Sequence, residues 1–378
     1  MVRQMNLEIQ KLTSYQILQN ELTIDTLNLL VLSSIKRNQQ SDKEEFPNLK
    51  NRISNDRSKR ILIIIPGYSV SNPPKIGDHR YYIEALKYHP KKNPFGYKQI
   101  YLYDLYSKKD GRCNFEYNIT NLADELYSKI NSNINDWHLI KNGEIDFIAA
   151  SMGGLILRKF IHKYLLGENQ IKTANYGYLK IKTIVMIGTP NYGCLIIDKL
   201  RLPLMQLLLH LFYGRNNFSK SEQFQQIGIG NVKIYGRILG KMFRKKSPPN
   251  DFLEGLNSLN PTPGKIRWIT IRGTKNHWFS NLIYNKKEEN DGVVSASNVC
   301  LPGAENIADY DINRNQLWNH RDLYQAENVC KLLNGLLVMN YTLDEYLQIN
   351  QSLENQIIIN REITSQKKHL GKAIPNTI

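Results

Sequence analysis

A serine at a strand-to-helix junction is the first residue of this sequence that could do chemistry. Ser151 lies in AASMGGLILRKF, residues 149–160, after an apolar run that ends at Ala149 and before an amphipathic helical pattern. Small residues two positions to either side, Ala149 and Gly153, leave room for a sharp turn at the serine. The pattern is typical of a nucleophile elbow, in which the hydroxyl stands clear of the sheet beside the N–H groups of the following helix. The alternative is a serine that only caps a helix.

A serine hydroxyl is a weak nucleophile until a base takes its proton, so an imidazole and an orienting carboxylate should follow it. In folds with this elbow the chain order is serine, acid, histidine. Asp291 lies in the polar turn EENDGVVSAS and precedes His320 in LWNHRDLYQ, whereas His277 comes before that acid and fails on order. We therefore predict Ser151, Asp291 and His320 as a catalytic triad. The alternative for Asp291 is a plain Asp-Gly turn.

The negative oxygen that develops when a serine attacks a carbonyl needs N–H donors nearby. One predicted donor is the backbone N–H of Met152, directly after the serine. The other should come from the loop after the first apolar strand, IIIPGYSVSN, where Gly67 permits a close turn and the N–H of Tyr68 is the predicted donor. The alternative for this loop is an ordinary Pro-Gly turn.

Apolar runs of strand length alternate with helical patterns from residue 60 onward. The runs predict strands at Ile61–Pro66, Gln99–Tyr103, Ile145–Ala149, Ile181–Ile187 and Arg267–Ile271. Helical patterns predict helices at Tyr81–Tyr88, Asn121–Ile130, Met152–Leu165 and Asp322–Leu337. Fully apolar strands that alternate with helices predict an α/β fold, with a mostly parallel central sheet and helices on both faces. Functional residues are then expected at the carboxyl ends of the strands.

An insertion, residues 193–262, separates the fourth and fifth predicted strands. It contains CLIIDKLRLPLMQLLLHLFYG, which as a helix would be apolar on nearly every face, and then the basic stretch GRILGKMFRKK. From Lys199 to Lys246, ten Lys and Arg residues stand against one acid, Glu222. A segment that is both apolar and basic predicts contact with lipid. The alternative is that the leucines pack on the domain as a fixed cap and the lysines form a solvated face.

The whole chain carries a formal net charge of +16 over 378 residues, which favours anionic partners but indicates no chemistry. Its four cysteines are far apart and form no C-x-x-C pair, so we expect reduced thiols and no structural zinc. The first residues lack the apolar core of a signal peptide. We therefore expect a cytoplasmic protein, with peripheral membrane contact as an extension of that interpretation.

Three regions are expected along the chain. Residues 1–59 are a polar amino-terminal extension with one short amphipathic helix, which either docks on the main domain or lies on a membrane. Residues 60–340 form one large domain. Residues 341–378 form a carboxy-terminal helix and tail.

Several motifs, taken in order, resemble the α/β-hydrolase superfamily and, within it, the bacterial lipases and lipase-like serine esterases. They are IIIPGY, IDFIAASMGGLILR, IVMIGTPNYG, NDGVVSAS and NHRDL, within residues 60–340. The resemblance implies that the insertion is a helical lid over an acyl pocket. It also implies the roles given above: nucleophile for Ser151, acid for Asp291, base for His320 and oxyanion donors for Tyr68 and Met152.

The sequence departs from the family pattern in two places. Ala150 stands where many relatives have His before the nucleophile, and Pro66 where many have His in the oxyanion loop; neither position supplies the base or a side-chain donor. Some bacterial lipases hold calcium near the catalytic histidine through an Asp that matches Asp322. Because Ala326 replaces the expected Gln and no acid lies in residues 273–280, we predict no metal site. We interpret Asp322 as the cap of the final helix.

The sequence thus predicts a serine hydrolase that cleaves carboxylic esters of acyl chains through an acyl-enzyme and needs no cofactor. A lipid or other acyl ester is the expected substrate, an anionic membrane is an expected peripheral contact, and a nucleic acid partner is not expected. Alternatives with the same triad are a thioesterase, a lipid esterase resembling the GPI-inositol deacylases and an acyltransferase. A rival from another class is a non-catalytic lipid-interface protein.

Overall fold

The structure is a computed structural model that describes part of the chain. The described residues are 60–67, 80–90, 93, 96–103, 105, 117–133, 144–166, 172–173, 177–178, 180–200, 222–230, 233–238, 241–246, 249–276, 284, 288–312 and 317–351. The predicted amino-terminal extension, residues 1–59, lies outside these ranges, as do Tyr68, His277 and residues 352–378.

The described residues form ten strands, and six of these belong to one parallel sheet. In chain order they are β1 (Ile61–Ile65), β2 (Gln99–Leu102), β3 (Glu144–Ala150), β4 (Lys172–Thr173), β5 (Gly177–Tyr178), β6 (Lys180–Ile187), β7 (Lys233–Ile238), β8 (Lys241–Lys246), β9 (Arg267–Arg272) and β10 (Glu305–Ala308). The order across the sheet is β10-β9-β6-β3-β1-β2, and every neighbouring pair is parallel. The five strands predicted from apolar runs are therefore confirmed, and the edge strand β10 is additional.

Helices connect the strands. They are α1 (Arg80–Leu86), α2 (Ile119–Asn133), α3 (Met152–Phe160), α4 (Leu195–Leu200), α5 (Glu222–Ile227), α6 (Asp251–Asn257), α7 (Ala296–Val299), α8 (Asp309–Ile312), α9 (Asp322–Gln325), α10 (Glu327–Leu333) and α11 (343–351). A single π-helical turn continues α3 at Ile161–Leu165 and another continues α10 at Asn334–Val338. The helix predicted at Asp322–Leu337 is interrupted at Ala326, which has an extended conformation (ψ 132°) and ends α9.

The order of the strands places helices on both faces of the sheet. The chain moves from β1 to β2 in one direction and then back past β1 to β3 and β6 in the other. Because parallel crossovers are right-handed, α1 lies on one face while α2 and α3 lie on the opposite face. This confirms the predicted α/β fold with a covered parallel sheet.

The core is built on β1, all five residues of which are buried. Ile61, Ile63 and Ile65 pack in one apolar cluster with Leu122 and Leu126 of α2. Leu62 and Ile64 are also fully buried and lie on the opposite face, because successive strand residues alternate. A strand buried on both faces cannot show a polar–apolar alternation, which explains the continuous apolar run in the sequence.

One buried carboxylate interrupts the apolar centre of β3. Asp146 is inaccessible to solvent, and its Oδ2 accepts the Tyr97 hydroxyl at 2.6 Å and an Arg60 Nη1 contact at 3.5 Å. Its Oδ1 accepts the N–H of Thr183 in β6 at 2.9 Å, where the register between β3 and β6 shifts. The carboxylate therefore replaces a strand-to-strand hydrogen bond that the irregular pairing leaves open.

The chain divides into two compact units. The larger comprises Asp56–Tyr88 and Phe95–Cys330 and contains the whole six-stranded sheet. The smaller includes Lys331 onward, within which Tyr346 of α11 packs over Gly335, since a Cβ on that glycine would lie 2.5 Å from the Tyr346 ring. The domain boundaries predicted at residues 60 and 340 stay predictions.

The insertion contains a hairpin as well as short helices. β7 and β8 pair in an antiparallel register that runs from Lys233 opposite Lys246 to Ile238 opposite Lys241. The prediction of a helical insertion is therefore incomplete, because the basic stretch forms two strands. The apolar segment is described only at α4, and residues 201–221 lie outside the described residues. Within the part of the chain that the structure describes, no helix is both long and apolar enough to span a bilayer.

Candidate active site

Ser151 stands at a sharp turn between a strand and a helix. β3 ends at Ala150 and α3 begins at Met152, so the serine alone joins them. Its backbone angles, φ 48° and ψ −124°, lie in a region that residues with a Cβ rarely occupy. The sheet holds the turn in place, because the Ser151 N–H donates to the Ile187 carbonyl at 2.7 Å. The serine side chain makes no capping hydrogen bond to α3, which disfavours its interpretation as a helix cap.

Glycines surround the turn because side chains would not fit there. A Cβ on Gly153 would lie 2.6 Å from the carbonyl oxygen of Ile65 at the end of β1. A Cβ on Gly67 would lie 2.8 Å from the Cβ of Ser151. Real Cβ atoms essentially never approach other atoms this closely, so both positions require glycine for space. The loop after β1 therefore passes directly beside the serine.

The structure describes one of the two predicted oxyanion donors. Met152 is the first residue of α3, where backbone N–H groups have no carbonyl partner within the helix and carry the positive end of its dipole. Tyr68 lies outside the described residues. Gly67, the residue before it, is described and lies against Ser151.

The ring of His320 lies between Asp291 and Ser151. Its Nδ1 is 2.7 Å from the Asp291 Oδ2, and its Nε2 is 3.2 Å from the Ser151 Oγ. With the ring proton on Nδ1 held by the carboxylate, Nε2 is the acceptor that faces the serine hydroxyl. The structure thus brings together three side chains that the sequence places 29 and 169 positions apart.

Each oxygen of the Asp291 carboxylate has a different partner. Oδ2 faces His320, while Oδ1 accepts the N–H groups of Val293 at 2.9 Å and Val294 at 2.8 Å. The residue is 1% exposed, and these N–H donors compensate for the hydration that its carboxylate loses on burial. The two interpretations of the NDG segment are therefore compatible, since one side chain both forms the turn and faces the imidazole.

Backbone contacts fix the distance between Asp291 and His320. The His320 N–H donates to the Asp291 carbonyl at 2.7 Å, parallel to the side-chain contact. Gly273, after β9, packs behind both segments: a Cβ there would lie 3.1 Å from the Asp291 Cβ and would collide with the Trp318 carbonyl. The imidazole and the carboxylate are therefore held by the main chain as well as by their own hydrogen bond.

A second buried carboxylate, Asp309, anchors the loop that leads to His320. Its Oδ2 accepts the N–H of Trp318 at 2.6 Å and that of Thr274 at 2.8 Å, and its Oδ1 accepts the Thr274 hydroxyl at 2.7 Å. Asp309 is the first residue after β10, the strand that the sequence pattern did not predict. Its anchoring role was therefore also missed.

A reciprocal pair of side chains closes the turn that contains His320. The Asn319 Oδ1 accepts the N–H of Asp322 at 2.9 Å, and the Asp322 Oδ2 accepts the N–H of Asn319 at 3.2 Å, as in a capping box. Asp322 is the first residue of α9, which ends before α10 begins. The prediction that Asp322 caps the final helix is therefore wrong, because the capping side chain is Asn319 and the helix is a separate short one.

Tyr324 is a neighbour of the imidazole that sequence reasoning missed. Its hydroxyl lies 3.0 Å from the Nε2 of His320, closer than the Ser151 Oγ. The two rings meet edge to face with centroids 5.3 Å apart. The spacing from His320 to Tyr324 is one helical turn, which is a signal for contact but not for a role in a site.

Two buried donors support the turn that holds the acid. The Val293 carbonyl accepts the Tyr284 hydroxyl at 2.6 Å and the Cys194 thiol at 2.9 Å. Burial raises the pKa of Cys194 to about 12 and also raises the pKa of Tyr284, so both groups stay protonated and donate. The thiol is therefore a structural donor, and the described cysteines, Cys194, Cys300 and Cys330, are free thiols.

Asp322, the position that matches the calcium-binding Asp of some relatives, has protein partners. Besides the Asn319 N–H, its carboxylate contacts the Lys275 Nζ at 3.4 Å. Within the described ranges, no three His, Cys, Asp or Glu side chains come together as a metal site. The Asp322 carboxylate thus already has a cation beside it.

Neither models of protein families nor curated protein sequences match this chain. Among solved structures it is similar to the mature Bacillus licheniformis lipase BlEst2, with 14% identity over 74% of this chain and 91% of that one and a TM-score of 0.47. It is also similar to the phospholipase PlaB from Legionella pneumophila, with 14% identity over 81% and 65% of the two chains and a TM-score of 0.46. A third is the Staphylococcus hyicus lipase, with 14% identity over 82% and 98% and a TM-score of 0.39.

The three TM-scores are below 0.5, so these similarities do not establish the fold by themselves. Independently of them, the chain has a parallel sheet in the order β10-β9-β6-β3-β1-β2, with a strained turn at the carboxyl end of a central strand. Asp291 and His320 reach that turn from the segments that follow β9 and β10, the two strands beyond β6. The fold of this chain is the α/β-hydrolase fold.

Proposed function

We propose that this chain is a serine hydrolase that cleaves carboxylic esters of acyl chains through an acyl-enzyme on Ser151. The observation that supports it most strongly is the position of the His320 ring, 3.2 Å from the Ser151 Oγ and 2.7 Å from the Asp291 Oδ2. Chance packing of a histidine rarely satisfies both nitrogens with a hydroxyl and a buried carboxylate at a strained turn.

In acylation, the His320 Nε2 takes the proton of the Ser151 hydroxyl while the Oγ forms a bond to the ester carbonyl carbon. The carbonyl electron pair moves onto oxygen, where the N–H groups of Met152 and Tyr68 stabilise it. The carbonyl then re-forms, the bond to the alcohol oxygen breaks, and that oxygen takes the proton from Nε2. Asp291 stabilises the imidazolium that exists between these two proton transfers.

In deacylation, a water molecule replaces the alcohol. The His320 Nε2 takes one of its protons as the water oxygen attacks the acyl carbon, and the Ser151 Oγ leaves with the proton from Nε2. No cofactor takes part in either half of this reaction. A thioester would acylate the serine by the same steps, and an acyltransferase would use an alcohol or amine in place of water.

We further propose that the substrate is a lipid or another ester with an apolar acyl chain. The support is the apolar segment that begins at α4, because the residue before it, Cys194, is hydrogen-bonded to the turn that holds Asp291. An apolar segment that begins this close to the acid favours an apolar substrate over a polar one. A cytoplasmic location with peripheral membrane contact is part of the same proposal.

The test uses the purified full-length protein, a fluorophosphonate probe and p-nitrophenyl esters of short and long fatty acids. Ser151→Ala should abolish labelling, and both Ser151→Ala and His320→Ala should lower turnover on the order of a thousandfold or more, because triad members act as a unit. Ser258→Ala is the matched control, since that hydroxyl only caps α6 through the Gly255 carbonyl. His277→Ala should cost little.

Two outcomes would count against the proposal. Wild-type turnover in Ser151→Ala would remove the serine from the chemistry. A parent protein that neither reacts with the probe nor turns over any ester would leave the non-catalytic lipid-interface protein as the better interpretation. Matched thioesters in the same assay rank thioesterase against esterase activity.

A further inference from the structure

Among the described residues, one fully buried cation has no acidic partner. Arg158, two turns after Ser151 in α3, is inaccessible to solvent. Its Nη1 donates to the Asn191 Oδ1 at 3.3 Å and its Nη2 to the Asn257 Oδ1 at 3.0 Å. Its Nε has no hydrogen-bond partner within the described chain. Neutral amides rather than a carboxylate therefore hold this guanidinium.

Burial makes this arrangement unfavourable for stability. It lowers the pKa of Arg158 to about 10, because the charged form loses its hydration, and the group stays charged at neutral pH. A buried charge without a counter-ion destabilises the folded state unless hydrogen bonds compensate for the lost hydration. An apolar side chain would fill the same space without that cost. The two asparagines that bind Arg158 are therefore important for what they connect.

Arg158 faces the segment that follows β6. Ser151, Gly154 and Arg158 recur at intervals of one helical turn and so share one side of the helix. The Ser151 N–H donates to the last carbonyl of β6, and a Cβ on Gly154 would collide with the Thr189 hydroxyl. One turn further along, Arg158 binds Asn191. The segment therefore runs along α3 for two turns, from the serine to the guanidinium.

The same segment is attached to the residues that follow Asp291. Asn191, which accepts from Arg158 through Oδ1, donates through Nδ2 to the Val299 carbonyl at 2.7 Å. Three further hydrogen bonds join the two stretches: the Tyr192 N–H to the Asn298 carbonyl at 3.1 Å, the Asn298 Nδ2 to the Gly193 carbonyl at 2.9 Å, and the Cys194 thiol to the Val293 carbonyl at 2.9 Å. The stretch that begins at Asp291 is therefore bound to the segment that Arg158 holds.

The second asparagine completes the arrangement. The Asn257 Nδ2 donates to the Asn191 carbonyl at 3.0 Å, while the Asn257 Oδ1 accepts from Arg158. Asn191 is thus held at its side chain by the guanidinium and at its main chain by Asn257. Because a guanidinium presents its donors in a rigid planar fork, it fixes the distance between the two asparagine side chains.

We propose that Arg158 is a positioning residue for the Ser151, Asp291 and His320 triad. Its guanidinium binds the segment after β6, and with it the stretch that carries Asp291, to the helix that begins beside Ser151. The carboxylate and the imidazole are then held at the observed distances from the serine. Arg158 acts through Asn191 and not on a reacting atom. This inference rests on the proposed function, because the triad is part of that proposal.

The test compares the full-length parent with Arg158→Met and Arg158→Lys. It measures the rate at which a fluorophosphonate labels Ser151 and the downfield proton NMR signal of the His320 Nδ1–H. Arg158→Met should slow labelling about a hundredfold, because a shift of about 1 Å in reacting groups can cost that much. The proton signal should move upfield as the contact with Asp291 lengthens. Arg158→Lys keeps the charge, but its ammonium ends one bond short of the Nη positions, so labelling should also slow, by a smaller factor.

The matched control is Arg60→Met. Arg60 is also buried, before β1 at the opposite end of the strands from Ser151, and it pairs with Glu144 at 2.9 Å and Asp146 at 3.5 Å. Its removal should lower the melting temperature and leave both the labelling rate and the proton signal unchanged. If Arg158→Met does not fold, Asn257→Ala removes one acceptor at a half-buried position and should slow labelling in the same direction.

Three results would overturn the positioning role. They are an unchanged labelling rate and proton signal in Arg158→Met, or in Asn257→Ala if the first variant does not fold; equal slowing in Arg60→Met; and parent-like labelling in Arg158→Lys, which would make the charge alone sufficient. Failure of the proposed function is distinguishable. A parent that does not react with the probe would remove that function, and the proton signal would still test whether Arg158 positions Asp291 and His320.

Discussion

At the scale of single residues, two hydroxyl groups contact the His320 nitrogen that faces Ser151. Two hydroxyls, those of Ser151 and Tyr324, lie 3.2 and 3.0 Å from the same Nε2. A neutral imidazole has one lone pair at that atom, so the two hydroxyls compete for it. In the proposed chemistry the tyrosine hydroxyl occupies a place that an alcohol or a water oxygen must also reach.

Tyr324→Phe should therefore be a mild change. Removing the hydroxyl leaves the Ser151 hydroxyl as the hydrogen-bond partner of Nε2, so acylation should become faster. Because one hydrogen bond contributes a net free energy of about 1 kcal/mol, kcat/KM should rise by less than about tenfold. Steady-state turnover of a p-nitrophenyl ester measures it, and Tyr324→Leu, which also removes the ring against His320, is the comparison. A fall of a hundredfold or more in Tyr324→Phe would mean that the hydroxyl takes part in proton transfer.

Sequence reasoning reached Ser151, Asp291 and His320 because the elbow pattern and the chain order constrain them. It did not reach Tyr324, whose contact arises from one turn of a short helix, or Asp309, which follows a strand that the pattern did not reveal. It misassigned Asp322 because Asn319 and Asp322 each accept the other's backbone N–H, and the sequence alone did not show that Asn319 is the residue that caps the helix. A spacing of one helical turn indicates that two side chains are neighbours, but it does not indicate that they belong to a site.

At the scale of elements, the irregular pairing of β3 and β6 depends on one carboxylate. Asp146 accepts from the Thr183 N–H and the Tyr97 hydroxyl in a site with no solvent access. Asp146→Ala leaves these buried donors without an acceptor, so we expect the free energy of unfolding to fall by about 3 kcal/mol. Urea denaturation measures the loss.

The control for that change is Asp124→Ala. Asp124 also pairs with a cation and a tyrosine hydroxyl, Lys163 and Tyr164, but its side chain is 40% exposed. Its removal should cost less than about 1 kcal/mol. Equal losses in the two variants would show that the buried carboxylate has no special part in the sheet.

The central parallel strands β1, β3 and β6 were predictable because burial on both faces makes them largely apolar. β10, with the sequence ENIA, was not predicted, since a four-residue edge strand that starts with two polar residues shows no such run. The β7–β8 hairpin was interpreted only as a basic stretch, because the Lys and Arg residues along its sequence obscure the polar–apolar alternation that predicts a strand. The last predicted helix is broken at Ala326, where the backbone is extended. The spacing of apolar residues along the sequence does not indicate this break.

At the scale of the whole molecule, we expect activity and stability to be independent of metal. Prolonged EDTA treatment should leave ester turnover and the melting temperature unchanged, because calcium takes six or more oxygen ligands and Asp322 already pairs with Lys275. Thermal melting with and without added calcium checks this. A fall of several degrees in EDTA that calcium restores would contradict it and make Asp322 a ligand.

The strained turn at Ser151 lowers thermal stability in order to hold the serine in the position that the proposed chemistry needs. Its φ of 48° costs on the order of 1–3 kcal/mol for a residue with a Cβ, and Gly67 packs against that Cβ. Of two inactive proteins, Ser151→Gly should therefore melt at a higher temperature than Ser151→Ala, although glycine loses up to about 1 kcal/mol through the unfolded chain. A library of this protein selected for heat resistance alone would thus tend to lose Ser151, the proposed nucleophile, and any engineering for robustness must select on turnover at the same time.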